Sequence, residues 1–198
     1  MPVVVMYKKE GIVAYLSVEK LKEFGFKSTG KNIKISDKAS IYYPERMEIG
    51  DNCQIDDFCL LSGKINIGRN VHIAPFCMVS GGVKGITFDD FSGLSFGVKV
   101  FTQSDDFSGQ ALTNPTVPEK YKKVSHKEII IGRHCIIGTA SVILPGVTLD
   151  EGTAIGAMSL VRKNTDSWSI YTGNPAKKIM DRSKVMLEKE KEYLKEIQ

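Results

Sequence analysis

A chain of 198 residues with a formal net charge of +4, 42% hydrophobic and 25% charged, has the size and balance of one soluble globular domain. No run approaches the roughly 18 apolar residues that span a bilayer, and the basic residues form no stripe with interleaved aromatics, so a membrane span and a nucleic-acid polymer are both excluded. The opening MPVVVMYKKEGIVAYL lacks the n-region, long h-region and cleavage site of a signal peptide, which makes the cytoplasm the expected compartment.

Residues 1–16 show no periodicity. Ser17 is a helix N-cap, with Val18, Leu21 and Phe24 on one face of a short helix and Gly25 as its stop. This segment, 1–34, is expected to plug the open end of the repeat region that starts at Ile35. From there a beat of six sets in. Aliphatic or aromatic residues open hexads at Ile35, Ile41, Ile49, Ile55, Leu61, Ile67, Ile73, Val79, Phe88, Leu94 and Val100. The count slips by two after Ile41, around Pro44, and by three after Val79, around Gly81, Gly82 and Gly85. Both slips read as bulged corners.

The beat stops at Val100 and resumes at Ile131, Ile137, Ile143, Leu149, Ile155 and Val161. The fifth place of each hexad is nearly always small: Cys135, Ser141, Val147, Thr153, Ser159, Thr165. A helix would show spacings of three and four, and a half-buried strand would alternate. A period of six is that of a β-helix, in which each hexad is one short strand and one turn, and only stacked coils bury a core. The opener fills the interior, and the fifth residue points in near a corner. The expected β-helix covers 35–166. All four cysteines, Cys53, Cys59, Cys77 and Cys135, fall at the small inward place, so they read as buried free thiols.

Between the two runs lies an excursion, 103–128, with Asp105, Asp106, Asn114, Tyr121 and His126. A loop of that length is ordered against something, most simply a neighbouring subunit. After the last hexads, Trp168 and Tyr171 cover the final coil within the C-terminal segment, 167–198. A helix of about 183–198 then presents Met186, Leu187, Tyr193, Leu194 and Ile197 inward and its Glu and Lys residues to water. Basic residues thicken at Lys120 to Lys127, at Arg162 and Lys163, and at Lys177 and Lys178, a pattern suited to a small phosphorylated ligand.

The hexads together with GNPAKKI at 173–179 resemble the hexapeptide-repeat acyltransferases, over nearly the whole chain from Ile35. The block IIIGRHCIIGTASVILPGVTLDEGTAIGAMSLVRKNT is similar to galactoside and maltose acetyltransferases. FTQSDDFSGQALTNPTVP is closer to sugar acyltransferases of surface-polysaccharide pathways, including those that acetylate a dTDP-linked 4-amino-4,6-dideoxy sugar for O-antigen or capsule. The resemblance implies an all-β, left-handed parallel β-helix and a homotrimer. It also implies acetyl-CoA, with no metal, in the groove between two prisms. Small outward corners (Gly138, Thr139, Ala140, Gly156, Ala157) would leave a slot for pantetheine, and Arg162, Lys163, Lys177 and Lys178 would meet the nucleotide phosphates. Asn114, Tyr121, Lys123 and His126 are candidate acceptor contacts, and Lys120 and Lys122 could join Lys123 at a diphosphate.

Galactoside-type members carry a catalytic histidine at the start of the excursion, where this chain has Asp105 and Asp106. Either an aspartate is the base, its pKa raised by burial and its neighbour, or the acceptor is an amine that needs no strong base, or His72 or His126 serves. His134 reads as a turn residue. Two adjacent carboxylates suit an ammonium-bearing acceptor, which favours N-acetylation of a nucleotide-linked amino sugar. O-acetylation of a glycan or a galactoside-type sugar is the alternative. A zinc enzyme on the same fold would need three converging histidines, and the chain has three in all. A non-catalytic scaffold would leave GNPAKKI and the excursion without a role.

Overall fold

The computed structural model describes residues 15–196. Most of the apolar opening stretch lies outside them, as does Ile197, assigned above to the last helix. Short parallel strands climb the three faces of a prism. Face one stacks Lys34–Ile35, Gln54–Ile55, His72–Ile73, Gly93–Leu94, Ile136–Ile137, Ala154–Ile155 and Ser169–Thr172. Face two stacks Ser40–Tyr42, Leu60 to Ser62, Met78 to Ser80, Lys99–Phe101, Val142–Ile143 and Leu160–Val161. Face three stacks Ser28–Thr29, Met47–Ile49, Ile65 to Ile67, Ile86 to Phe88, Ile129–Ile131 and Thr148–Leu149.

Register puts opener on opener: Ile55 pairs with Ile73, Ile73 with Leu94, and Ile137 with both Leu94 and Ile155. All the openers are buried except Ile41, which is partly covered and packs against the same core. The fifth-place residues Cys135, Ser141, Val147, Thr153, Ser159 and Thr165 are buried beside them. Polar members are satisfied within the stack, as where Thr153 and Thr165 share a hydroxyl hydrogen bond of 2.8 Å. The four cysteines are buried free thiols, and burial pushes Cys135 up to about 12, which leaves it inert.

At two corners a residue in the left-handed region recurs coil after coil. Phe58, Phe76, Gly97, Ala140 and Met158 turn from face one to face two, and Asn52, Asn70, Phe91, His134, Gly152 and Trp168 turn from face three back to face one. The third corner, between faces two and three, holds both slips of the beat and the excursion. The Pro44 slip is a 3₁₀ turn, Pro44–Arg46. The glycine slip is a register shift inside one continuous strand, Met78–Phe88, lying on Leu60–Ile67. The excursion leaves from the same corner, closed at its root by Gln103–Ser104 antiparallel to Ser125–His126.

Ser17 accepts a hydrogen bond from Lys20 N at the start of α1 (Val18–Glu23), whose Leu21 leans on the core with Leu16, Phe26 and Ile33. At the other end the ladder runs on past the last hexad. Ser169–Thr172 pairs with Ala154–Ile155 and turns back through Lys177–Asp181. The chain finishes in α2 (Met186–Glu196), laid along the corner that holds Asn70, Phe91 and His134. One of its acidic residues departs from the expected wet face. Glu190 turns inward, pairing with Arg133 and with His134 Nε2 at 2.9 Å, while Tyr193 accepts a hydrogen bond from Asn70. The spacing from Met186 to Glu190 to Tyr193 places all three on one side of the helix.

Candidate active site

Candidate residues fall in three places. The first is face one, where a cavity of about 630 Å³ is lined by His72, Ser95, Phe96, Ile136 and Thr139 on the coils and by Arg182 and Met186 from the C-terminal segment. His72 stands outward on the rung above Gln54, and its Nε2 lies 2.7 Å from Asp56 Oδ2. Ser95 follows the opener Leu94, its amide tied to Ile137 O.

The second is the excursion. Asp105 and Asp106, adjacent in sequence, do different things. Asp106 closes a turn, accepting from the amides of Ser108 at 2.9 Å and Gln110 at 3.1 Å. Those hydrogen bonds, the Ser108 side chain first, hold its carboxyl below the usual range. The expected raised pKa is therefore reversed, and Asp106 is a turn former and a poor base, because each donor stabilises the anion. Asp105 accepts one longer hydrogen bond, 3.3 Å, from the Asn114 amide, which gathers Asp105 and Asn114 at the loop's base. Asn114 also holds the next turn through Thr116. His126 stands exposed at the root strand, Lys123 is exposed, and Lys122 folds onto Glu119 at 2.7 Å. Tyr121 is half-covered by Lys120, 4.9 Å over its ring.

The third is the late end of the prism. Arg162, Lys163 and Lys177 line one cavity of about 380 Å³, with Tyr171, Pro175 and Ala176 as its apolar wall. Lys178 is not with them. Its Nζ sits 2.8 Å from Asp181, and Asp181 holds it protonated above its ordinary range. Strand alternation explains the split, since Lys177 and Lys178 are successive residues of one strand and point opposite ways. Thr139, Ala140 and Ala157 are exposed at the corner between faces one and two. Gly138 lies beneath the next coil, where an added Cβ would stand 2.6 Å from Ala157 N.

These places do not converge within one copy. Face two lies between Ser95 and the root of the excursion. Among the described residues, the excursion's hydrogen bonds run within itself or to its own corner, as in Lys127 N to Thr102 O. The three histidines stand on face one, in the excursion and at a buried corner, and no metal-binding cluster forms among the described residues.

A family model described as bacterial transferase hexapeptide (six repeats) matches residues 46–81. A dTDP-4-amino-4,6-dideoxy-D-glucose acyltransferase of Escherichia coli is 42% identical over 181 residues, 90% of this chain and 94% of that protein. The chain belongs to the hexapeptide-repeat acyltransferases. AntD, an N-acyltransferase from Bacillus cereus solved with dTDP and 3-hydroxybutyryl-CoA, is 47% identical with a TM-score of 0.91, covering 93% of this chain and 98% of that one. AntD has also been solved with an aspartate replaced and, ten residues before it, with a serine replaced, the latter bound to CoA and the amino sugar. A hexapeptide-repeat acetyltransferase of Vibrio cholerae, 19% identical at a TM-score of 0.53 over 83% of this chain and 79% of that one, shares the fold.

As a hexapeptide-repeat acyltransferase, the protein is an enzyme of acyl transfer with the left-handed parallel β-helix expected above. Sequence reasoning passed over two of its polar residues, Asp56 and Ser95. Coil length could have found Asp56. Three hexads make one turn of the prism, so residues 18 apart stack, which puts Gln54 under His72 and Asp56 within diagonal reach.

Proposed function

We propose that this enzyme transfers an acyl group, acetyl in the first instance, from acyl-CoA to the amino group of a dTDP-linked amino-dideoxy sugar, in a site shared between subunits of a homotrimer. The observation that carries this reading is the likeness across nine-tenths of the chain to an acyltransferase named for that sugar, together with AntD, solved with dTDP and an acyl-CoA.

The chain's own residues support it. Two serine–aspartate pairs have the spacing of the residues replaced in AntD: Ser80 with Asp90, and Ser95 with Asp105. Asp90 is taken up by Arg69 and Arg133, and Ser80 Oγ faces Ser62. Ser95 lines the cavity on face one and Asp105 keeps open lone pairs, which favours the second pair. Since face two separates them in one copy, a neighbouring prism would bring Asp105 to Ser95, which supports the trimer. Asp105 would pair with the acceptor nitrogen while it is an ammonium, and Ser95 would hydrogen-bond the same nitrogen. Thr139 and Ala157 would border the pantetheine, and Arg162, Lys163 and Lys177 would meet the nucleotide phosphates as flexible point charges. The excursion residues Asn114, Tyr121, Lys123 and His126 would cover the acceptor. Such a product belongs to O-antigen or capsule assembly in the cytoplasm.

The test is thiol release from acetyl-CoA with a dTDP-4-amino-4,6-dideoxyhexose and, in parallel, its 4-hydroxy counterpart. The expected result is turnover with the amine alone. Turnover with the hydroxyl sugar, or only with a plain glycoside, would replace this reading with O-acetylation. Running 3-hydroxybutyryl-CoA beside acetyl-CoA measures how wide the acyl pocket is.

A further inference from the structure

We propose that His72 and Asp56 form a proton-accepting dyad for this transfer, with His72 the catalytic residue that meets the acceptor's ammonium group and Asp56 the positioning residue that fixes its ring. The inference deepens the amine-acceptor reading and rests on it.

Geometry carries it. Asp56 directly follows the opener Ile55, so its side chain stands outward at the base of the rung that holds His72. It accepts from three directions: Gln54 Nε2 at 2.9 Å and Tyr15 Oη at 3.3 Å on Oδ1, and His72 Nε2 at 2.7 Å on Oδ2. A carboxylate accepts and cannot donate, so the ring proton sits on Nε2 and Nδ1 is left as the free acceptor. The Asp56 side chain is 16% exposed and that of His72 is 53% exposed, so the carboxylate is the covered, fixed end and the imidazole the accessible one. That order, a buried carboxylate orienting an accessible imidazole, is how a proton acceptor is held in its working tautomer. The ring lines the 630 Å³ cavity with Ser95 and Thr139.

Within one copy the surrounding charges are few, and in the proposed assembly Asp105 of a neighbouring copy adds a carboxylate on the Ser95 side. Across the cavity stands Arg182, whose Nη1 donates to the carbonyls of His134 and Gly152. Gly93, on the rung above His72, brings no charge. Asp57 is paired with Lys38 at 2.8 Å. Tyr15 keeps its proton, burial and the Asp56 charge both raising its pKa.

The chemistry balances without another reagent. An amino sugar arrives largely as ammonium, with no lone pair to attack. Nδ1 of His72 takes one proton and leaves the neutral amine. The amine nitrogen then bonds to the thioester carbon, the C–S bond breaks, and the nitrogen's second proton leaves with the CoA thiolate as thiol. The imidazolium, stabilised by Asp56, returns its proton to water.

The test measures kcat and KM for wild type, His72→Gln and Asp56→Asn with the dTDP-amino sugar and acetyl-CoA. Histidine ¹⁵N spectra are recorded alongside. His72→Gln should lower kcat about 100-fold or more and leave the KM for acetyl-CoA unchanged. Asp56→Asn should lower kcat about 10-fold or more and loosen the Nε2–H preference in the spectrum. A wild type that acylates the amine while His72→Gln keeps its kcat would overturn the dyad alone. A wild type that does not acylate the amine would overturn the parent reading and the dyad together. If Asp56→Asn fails to fold, His72→Gln decides.

Discussion

Gly138 lacks a side chain because the coil above it leaves no space for one. An added Cβ would stand 2.6 Å from Ala157 N and 2.8 Å from Gly156 C, and both are backbone held in register by Gly138 N to Ile155 O. Relief would mean moving a coil. Gly138→Ala is therefore expected to destabilise the protein by about 1–3 kcal/mol, the range for forcing atoms into a packed site. Thermal unfolding with intact acyl-CoA binding in the surviving fold would check that the effect is on stacking. From sequence the same glycine reads as room for a ligand, and Gly156, beneath Thr172, invites the same misreading. One-letter spacing shows that a position must be small, but it does not say whether a ligand or the next coil requires it. The interior is different. Its row from Ile35 to Val161 was legible because a fixed period of six leaves no other way to bury so many aliphatic residues. The site was legible only in parts. The basic cluster at 162, 163 and 177 is local, whereas Asp56 with His72 and Glu190 with Arg133 depend on contacts between coils or from the last helix.

At the scale of elements, α2 is held to the prism by a polar latch. His134 turns its corner in the left-handed region at φ 59°, is 4% exposed, stacks on Phe91 at 5.4 Å and meets Glu190 through Nε2. Burial first, and Arg133 next, lower its pKa below the ordinary 6.5. In the unfolded chain it protonates at its ordinary value, so below about pH 6.5 the unfolded state binds the extra proton and the folded state resists it. Stability should therefore fall as pH drops from 7.5 toward 5.5, and the loss should level off once the folded form also titrates. His134→Asn, which tolerates the left-handed backbone, should flatten this slope while lowering stability at neutral pH through the lost stacking. Denaturant midpoints across that pH range decide it. An unchanged slope in the variant would place the pH dependence elsewhere. Because Met186 and Arg182 also wall the cavity holding His72, loosening the latch should raise the KM for the acceptor more than that for acyl-CoA.

At the scale of the molecule, the interruptions of the six-residue beat between Ile35 and Val161 are gathered on one corner. That corner carries the 3₁₀ turn, the long paired strands and the excursion, in which Phe107 is 93% exposed. Among the described residues, face one, which carries His72 and Ser95, has no excursion of its own, and only Arg182 and Met186 of the C-terminal segment reach over its cavity. A prism built this way has a reaching corner and a receiving face that cannot meet in one copy, and ring closure lets each copy supply both. The proposed trimer then makes a thermodynamic prediction. A ligand held only by the assembled state stabilises it by about 2.7 kcal/mol at 100 times its Kd, and it also opposes dissociation. Acyl-CoA should raise the thermal midpoint at protein concentrations where sedimentation shows a species near three times 21.9 kDa. It should do little where dilution has produced monomers, and the diluted monomers should reassemble on its addition. Lys163→Ala with Lys177→Ala should weaken both effects together, since the two lysines line one cavity. Monomers that bind acyl-CoA as tightly as the assembly would place the whole donor site within one prism and remove the need for a neighbour.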